Sequence, residues 1–193
     1  MARIPYVDPD TFPEEKRDLL DSLSDKAEEL DERAHDLEGG TLNLYRALGN
    51  NLALLEAFRT FAGEVWGGSD ITIQEREFVI LGVSHKIDAP YEWHQHVRIA
   101  LDEGITPEEI KAVSSGEYDV LDDRTAALLN YVRSYVGGEV DDATHDALAT
   151  HYNDETIVGI GMLASTYLGL ARQLEALDVD TEVEFVGWDL ENL

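Results

Sequence analysis

The densest cluster of functional side chains is Tyr91-Glu92-Trp93-His94-Gln95-His96. On an α-helix at about 100° per residue, Glu92 and His96 fall roughly 40° apart on one face, one turn from each other. A carboxylate beside an imidazole raises its pKa and orients the ring, which is how an acid/base histidine is poised near neutral pH. Trp93, Val97, Ala100 and Leu101 make the apolar stripe of the same helix and put Glu92 and His96 at its border, where a pocket rim would lie. The same spacing also describes a surface i,i+4 ion pair worth about 0.3–0.5 kcal/mol, and on spacing alone that is the commoner outcome.

Glu77 is a second candidate, because it falls one turn before Ile80 and Leu81 in a segment apolar on nearly every side from Phe78 to Val83. A carboxylate in a buried helix must be paired or have a raised pKa, whereas a partly exposed first-turn glutamate would simply favour the helix dipole. His94 and His96 project about 200° apart on a helix, so one metal ion cannot easily take both. Glu92 and His96 with His85 make no recognisable three-ligand spacing, and no metal site is expected. His35, His145 and His151 are scattered and expected at the surface.

The elements that would carry these residues are helical. Pro5, Pro9 and Pro13 mark an extended N-terminal arm, and Pro13 suits the first turn of a helix running toward Leu37 and stopped by Gly39-Gly40. Leu42 to Phe61 follows a 3.6-residue period and is a core helix or a pair of them. Thr72-Ile73-Gln74-Glu75 and Thr106-Pro107-Glu108-Glu109 have the spacing of capping boxes, and Gly104 stops the helix that begins near Tyr91. Leu121–Val136, Asp142–Tyr152 and Ile157–Leu174 complete the set, the last being the most apolar. The alternation through Val183, Phe185 and Val186 is that of an isolated extended C-terminal arm. The expectation is an all-α single domain over 1–193, with an arm and helix over 1–38, a core over about 41–175 and a tail over 178–193.

The chain has 193 residues, 44% of them hydrophobic, with 41 acidic and 14 basic side chains and a net charge of −27. Its apolar content is ordinary, so the charge belongs on a folded surface rather than in a disordered chain. Such a surface repels itself at low ionic strength, whereas about 1 M salt shrinks the Debye length to roughly 3 Å, the signature of a salt-adapted, halophilic protein. No basic patch suits nucleic acid, no apolar stretch approaches the roughly 20 residues of a membrane span, and the N-terminus opens no signal sequence. A cytoplasmic location is the default expectation. Cysteine is absent, which removes thiol nucleophiles, thiolate ligands and dithiol redox chemistry. P-loop, dinucleotide-binding and nucleophile-elbow patterns are absent as well.

The order Glu77, then Tyr91-Glu92-Trp93-x-x-His96-Val97-x-Ile99-Ala100, then Gly104-Ile105-Thr106-x-Glu108-Glu109-Ile110 resembles the carboxymuconolactone decarboxylase and alkylhydroperoxidase D-like superfamily. Arg3-Ile4-Pro5 and Leu42-Asn43-Leu44-Tyr45-Arg46 resemble its longer members. The resemblance implies an alkylhydroperoxidase D-like helical bundle with a core helical hairpin, assembled as a trimer or hexamer. In the peroxidase branch a Cys-x-x-Cys-x-x-x-His motif does the redox work, and its two cysteine positions are Ala89 and Glu92 here. The decarboxylase branch, which needs no cofactor, is the better match.

That branch implies His96 as proton donor, Glu92 as its orienting partner and Glu77 behind them. Tyr91, Trp93 and Arg46 are the expected substrate contacts, with Arg76 and Arg98 as other candidates for a substrate carboxylate. The expected function is a cofactor-free, carboxy-lyase-like acid/base enzyme acting on a small organic acid such as a lactone or keto acid. The alternative is a non-catalytic, oligomeric small-molecule binding protein on the same scaffold.

Overall fold

A computed structural model of the chain describes residues 2–20 and 41–193. Most of the helix expected from Pro13 toward Leu37, its Gly39-Gly40 stop and His35 lie outside the described residues. Glu14–Leu20 is a 3-10 helix. The α-helices are α1 (Asn43–Leu48), α2 (Leu52–Gly68), α3 (Ile73–Lys86), α4 (Pro90–Asp102), α5 (Pro107–Ser115), α6 (Asp123–Gly137), α7 (Asp142–Ala149) and α8 (Asp154–Leu177). Among the described residues there is no strand, and the period-3.6 stretch from Leu42 to Phe61 is a pair of helices. The chain forms two compact units, one of Met1–Gly67 with Gln173–Glu184 and one of Gly68–Arg172 with Phe185–Leu193.

In the first unit the arm is pinned rather than free. Arg3 donates its backbone N–H to Leu177 O and its guanidinium Nη1 to Ala176 O, both at 2.7 Å. Tyr6 Oη donates to Asp180 Oδ2 at 3.3 Å, and Asn43 N to Glu182 Oε1 at 2.7 Å. Side-chain and backbone groups of the two chain ends thus satisfy one another.

The second unit is organised on α3. Thr72 caps it as the spacing predicts, accepting from Glu75 N at 3.2 Å while Glu75 Oε2 accepts from Thr72 N at 2.8 Å. Val79, Ile80, Leu81 and Val83 are fully buried, because the middle turns of α3 pack against α4, α5 and α6. Its polypeptide turns through Asp88, at φ 54°, into Pro90 at the first position of α4, and a left-handed Gly104 ends that helix. The second capping box, at Thr106, starts α5.

The α8 helix is less enclosed than its composition suggests. Ile160, Leu163 and Ala164 are fully buried, yet Val158 is 66% and Met162 43% exposed. Its 24 residues include an 18-residue stretch of mean hydropathy 1.2, so by length and composition alone it could cross a bilayer, contrary to the sequence expectation. The one-sided burial is that of a helix packed on its neighbours. A Cβ on Gly159 would stand 2.6 Å from Ser69 O, so glycine is what lets α8 pass that backbone.

The C-terminal segment Phe185–Leu193 is a turn-rich plug, not an isolated extended arm. Gly187 and Leu190 take positive φ, and Val186 and Leu190 are buried. Alternating apolar residues satisfy a segment laid on a protein surface as well as a strand, and here they are used for the former.

Candidate active site

Glu77 occupies the second turn of α3, and Glu92 and His96 the first two turns of α4, in the same compact unit. His96 Nδ1 lies 2.6 Å from Glu77 Oε2, and His96 Nε2 lies 3.7 Å from Glu92 Oε2. The imidazole is therefore held between two carboxylates, one at hydrogen-bond distance and one just beyond it. All three residues are interior, with Glu77 0%, Glu92 2% and His96 5% exposed. The surface ion pair and the exposed first-turn glutamate are both replaced by a buried triad.

The remaining surroundings are specific. Arg76 Nε, itself buried, donates to Glu77 Oε1 at 3.4 Å. The ring of Tyr167, on α8, meets the His96 ring edge to face at 5.1 Å. Among the described residues, Glu92 Oε1 is buried and has no hydrogen-bond partner. An oxygen in that state strongly disfavours charge. Burial pushes the Glu92 carboxyl up to about 7, with His96 opposing the rise and Glu77 adding to it.

The first two turns of α4 are buried all round, since Tyr91 through Val97 are each enclosed. The plug is part of the reason. Trp93 Nε1 donates to Gly187 O at 3.0 Å, and Val186 N donates to His94 Nδ1 at 3.0 Å. Trp93 also packs against His85 and Trp188, with ring centroids 5.7 and 5.4 Å away. Trp93 thereby anchors the plug, and His94 points to it rather than toward a site shared with His96. Tyr91 is 4% exposed.

Arg46 is in the other unit, where Nε donates to Val7 O at 3.1 Å, Nη1 to Asn43 Oδ1 at 3.1 Å, and the guanidinium stacks on the Tyr6 ring. Arg98 is exposed, whereas Arg76 is committed to Glu77. Among the described residues no group of three or more His, Asp or Glu side chains is placed to hold a metal ion. Tyr167 and the plug carry no local signature, because their relation to α4 exists only once the helices pack.

The all-helical fold, with its hairpin of α3 and α4, is alkylhydroperoxidase D-like. Residues 53–134 match the carboxymuconolactone decarboxylase family. Solved structures share the fold. An uncharacterized peroxidase-related protein from Ralstonia eutropha JMP134, described as an alkylhydroperoxidase AhpD core, superposes with a TM-score of 0.78 at 19% identity over 97% of this chain and 96% of that one. A peroxidase-related protein from Silicibacter sp. TM1040 gives 0.77 at 19% identity over 96% and 94%. A variant of the debrominase Bmp8 in complex with 2,3,4-tribromopyrrole gives 0.76 at 15% identity over 95% of each chain. No curated protein matches the sequence.

Proposed function

We propose that this protein is a cofactor-free acid/base enzyme of the carboxy-lyase type, acting on a small lactone or keto acid. The observation that carries the reading is Glu92, a buried carboxyl poised near neutrality with one oxygen unpartnered beside an imidazole that Glu77 holds. Both nitrogens of His96 face carboxylates, whereas Glu92 Oε1 faces none. This favours a division of labour different from the one the resemblance implies, in which Glu92 presents the proton and His96 exchanges it.

In the reaction the bond from the substrate's carboxylate carbon to its α carbon breaks, and carbon dioxide leaves. The electron pair stays on the α carbon, delocalised into the neighbouring lactone or ketone carbonyl. Glu92 Oε1–H then gives its proton to that carbon, and one proton from solvent, relayed through His96 Nε2, restores the Glu92 acid. The Nδ1–Glu77 bond fixes which ring nitrogen takes part. Thiol peroxidase chemistry has no place, because the chain has no cysteine.

The test is a screen of small lactone and keto acids for carbon dioxide release in molar salt, followed by Glu92→Gln on any substrate found. Loss of turnover with retained fold is expected. A substrate on which the variant equals the parent would sink the acid/base assignment and favour the non-catalytic binding protein.

A further inference from the structure

A polar concavity lies in the unit that holds the triad, between the C-terminal ends of α3 and α5 and the middle of α6. Its volume is about 160 Å³, close to the ~150 Å³ known to accommodate a benzene ring. Its apolar floor is made by Gly82, Val113 and Leu129, and its polar wall includes Lys86, Arg133, Ser114 and Tyr118.

The charge is the unusual feature. The chain carries 41 acidic and 14 basic side chains, yet two permanent cations line this one cleft. Other cations are spent on carboxylates, as Lys16 is on Glu56 and Arg124 on Glu75. Among the described residues, neither Lys86 nor Arg133 is ion-paired.

Arg133 is also positioned. Its guanidinium lies across Gly116, where a Cβ would come within 2.7 Å of Nη1, and near enough to Tyr118 to oppose the rise that burial imposes on the phenol's pKa. Gly116 is left-handed at φ 74°, so the turn that makes room for the guanidinium is one that glycine adopts without strain. His85 is half-buried on the same wall; burial, the largest influence, lowers its pKa, with Arg133 adding to this and Asp88 and Asp189 opposing.

We propose that the cleft between α3, α5 and α6 binds a small carboxylic acid as its anion, Arg133 and Lys86 taking the carboxylate and Val113 and Leu129 its apolar body. A planar fork beside a point charge suits a carboxylate, and the floor excludes a fully hydrated inorganic anion. Chain-wide repulsion of anions is screened in molar salt, so contacts made inside the cleft decide affinity there. The proposal stands apart from the acid/base reading, since it uses neither Glu92 nor His96.

The experiment is a titration of the full chain with benzoate in about 1 M potassium chloride, followed by amide chemical shifts, with benzamide as the uncharged isostere. Saturable shifts centred on residues 113–118 and Lys86 are expected for benzoate, with affinity at least about 10-fold above that for benzamide. Arg133→Gln should weaken benzoate by about 10-fold, while Arg98→Gln, the same charge change at an exposed site outside the cleft, should weaken it by less than about 2-fold. Lys86→Gln, at an exposed side chain, supplies the test should Arg133→Gln not fold, and should weaken benzoate by about 3-fold or more. Equal binding of benzoate and benzamide, shifts away from the cleft, or equal effects of the cleft and Arg98 variants would each overturn the proposal.

Discussion

His96 Nδ1 and Glu77 Oε2 meet at 2.6 Å across 19 positions of sequence, inside the hairpin and out of solvent. A hydrogen bond from a buried imidazole to a carboxylate sets both the tautomer and the ring plane. It therefore also sets which nitrogen looks at Glu92. Glu77→Gln should keep the fold but remove the charge that holds Nδ1–H. Turnover should fall by about 10–100-fold with KM little changed, and Glu77→Asp should recover part of it. An unaltered pH profile in Glu77→Gln would contradict this positioning role.

His96→Gln and Glu92→Gln should each reduce turnover by about 10²–10⁴, and the double variant should be hardly worse than either single one, because the two act as a relay. Multiplicative losses measured on one substrate would show that they work independently.

The titration of Glu92 makes stability depend on pH in a defined direction. Its folded-state value is about 7 against an ordinary 4.5, burial being the main cause. The folded chain thus retains a proton that the unfolded chain gives up. This contribution is fully present below about 4.5 and is lost as pH rises through about 7, amounting to something on the order of 3 kcal/mol above it. Glu92→Gln should then be more stable than the parent at pH 8, with the advantage shrinking toward pH 4.5. Denaturant midpoints measured across that range check it, and a pH-independent difference would refute it. Activity that needs the acid form should likewise decline above about pH 7.

Glu75 behaves in the opposite sense. Burial alone would raise its pKa, but hydrogen bonds from Tyr152, Arg124 and Thr72 outweigh it and leave the carboxyl below its ordinary value. Oε1 accepts from Tyr152 Oη and Arg124 Nε, both at 2.6 Å, while the Arg124 guanidinium stacks on the Tyr152 ring. The associated stability is present above the unfolded-state value and disappears as pH falls through the lowered one. Tyr152→Phe should cost about 1–3 kcal/mol at neutral pH and less in acid. Thermal melts at pH 7 and pH 3.5 in high salt would show whether the gap closes.

The 41 acidic side chains against 14 basic ones should make the melting temperature rise from low to multimolar potassium chloride. Val158 and Met162, exposed on α8, are apolar surface that a second copy could cover. Sedimentation in high salt should accordingly give three or more subunits. A stable 21.5 kDa species would count against assembly, and a flat melting curve against salt adaptation.

Local chemistry explains which features were legible in the sequence. The boxes at Thr72 and Thr106 involve residues three apart, so their partners are written side by side. Glu92 and His96 are one turn apart and could be paired from spacing, although their burial could not. The Glu77–His96 bond depends on how α3 meets α4, and its place in the motif came from family resemblance. Tyr167 was invisible for the same reason. The plug differs from the extended arm that alternation predicts, because an alternating pattern reports two faces without saying what covers one of them.

Trp93 and Trp188 also give the plug an optical signature. The chain has three tryptophans, and these two indoles lie with ring centroids 5.4 Å apart and planes inclined by 47°. At that separation their electronic transitions couple, so the docked plug should produce a paired near-ultraviolet circular dichroism band that vanishes when it lifts. His85, 5.5 Å from Trp188 and 5.7 Å from Trp93, would quench their emission once protonated. Trp66 belongs to the other compact unit and serves as an internal reference. The state of the C-terminal segment around α4 can therefore be followed by light alone, with no substrate and no attached dye.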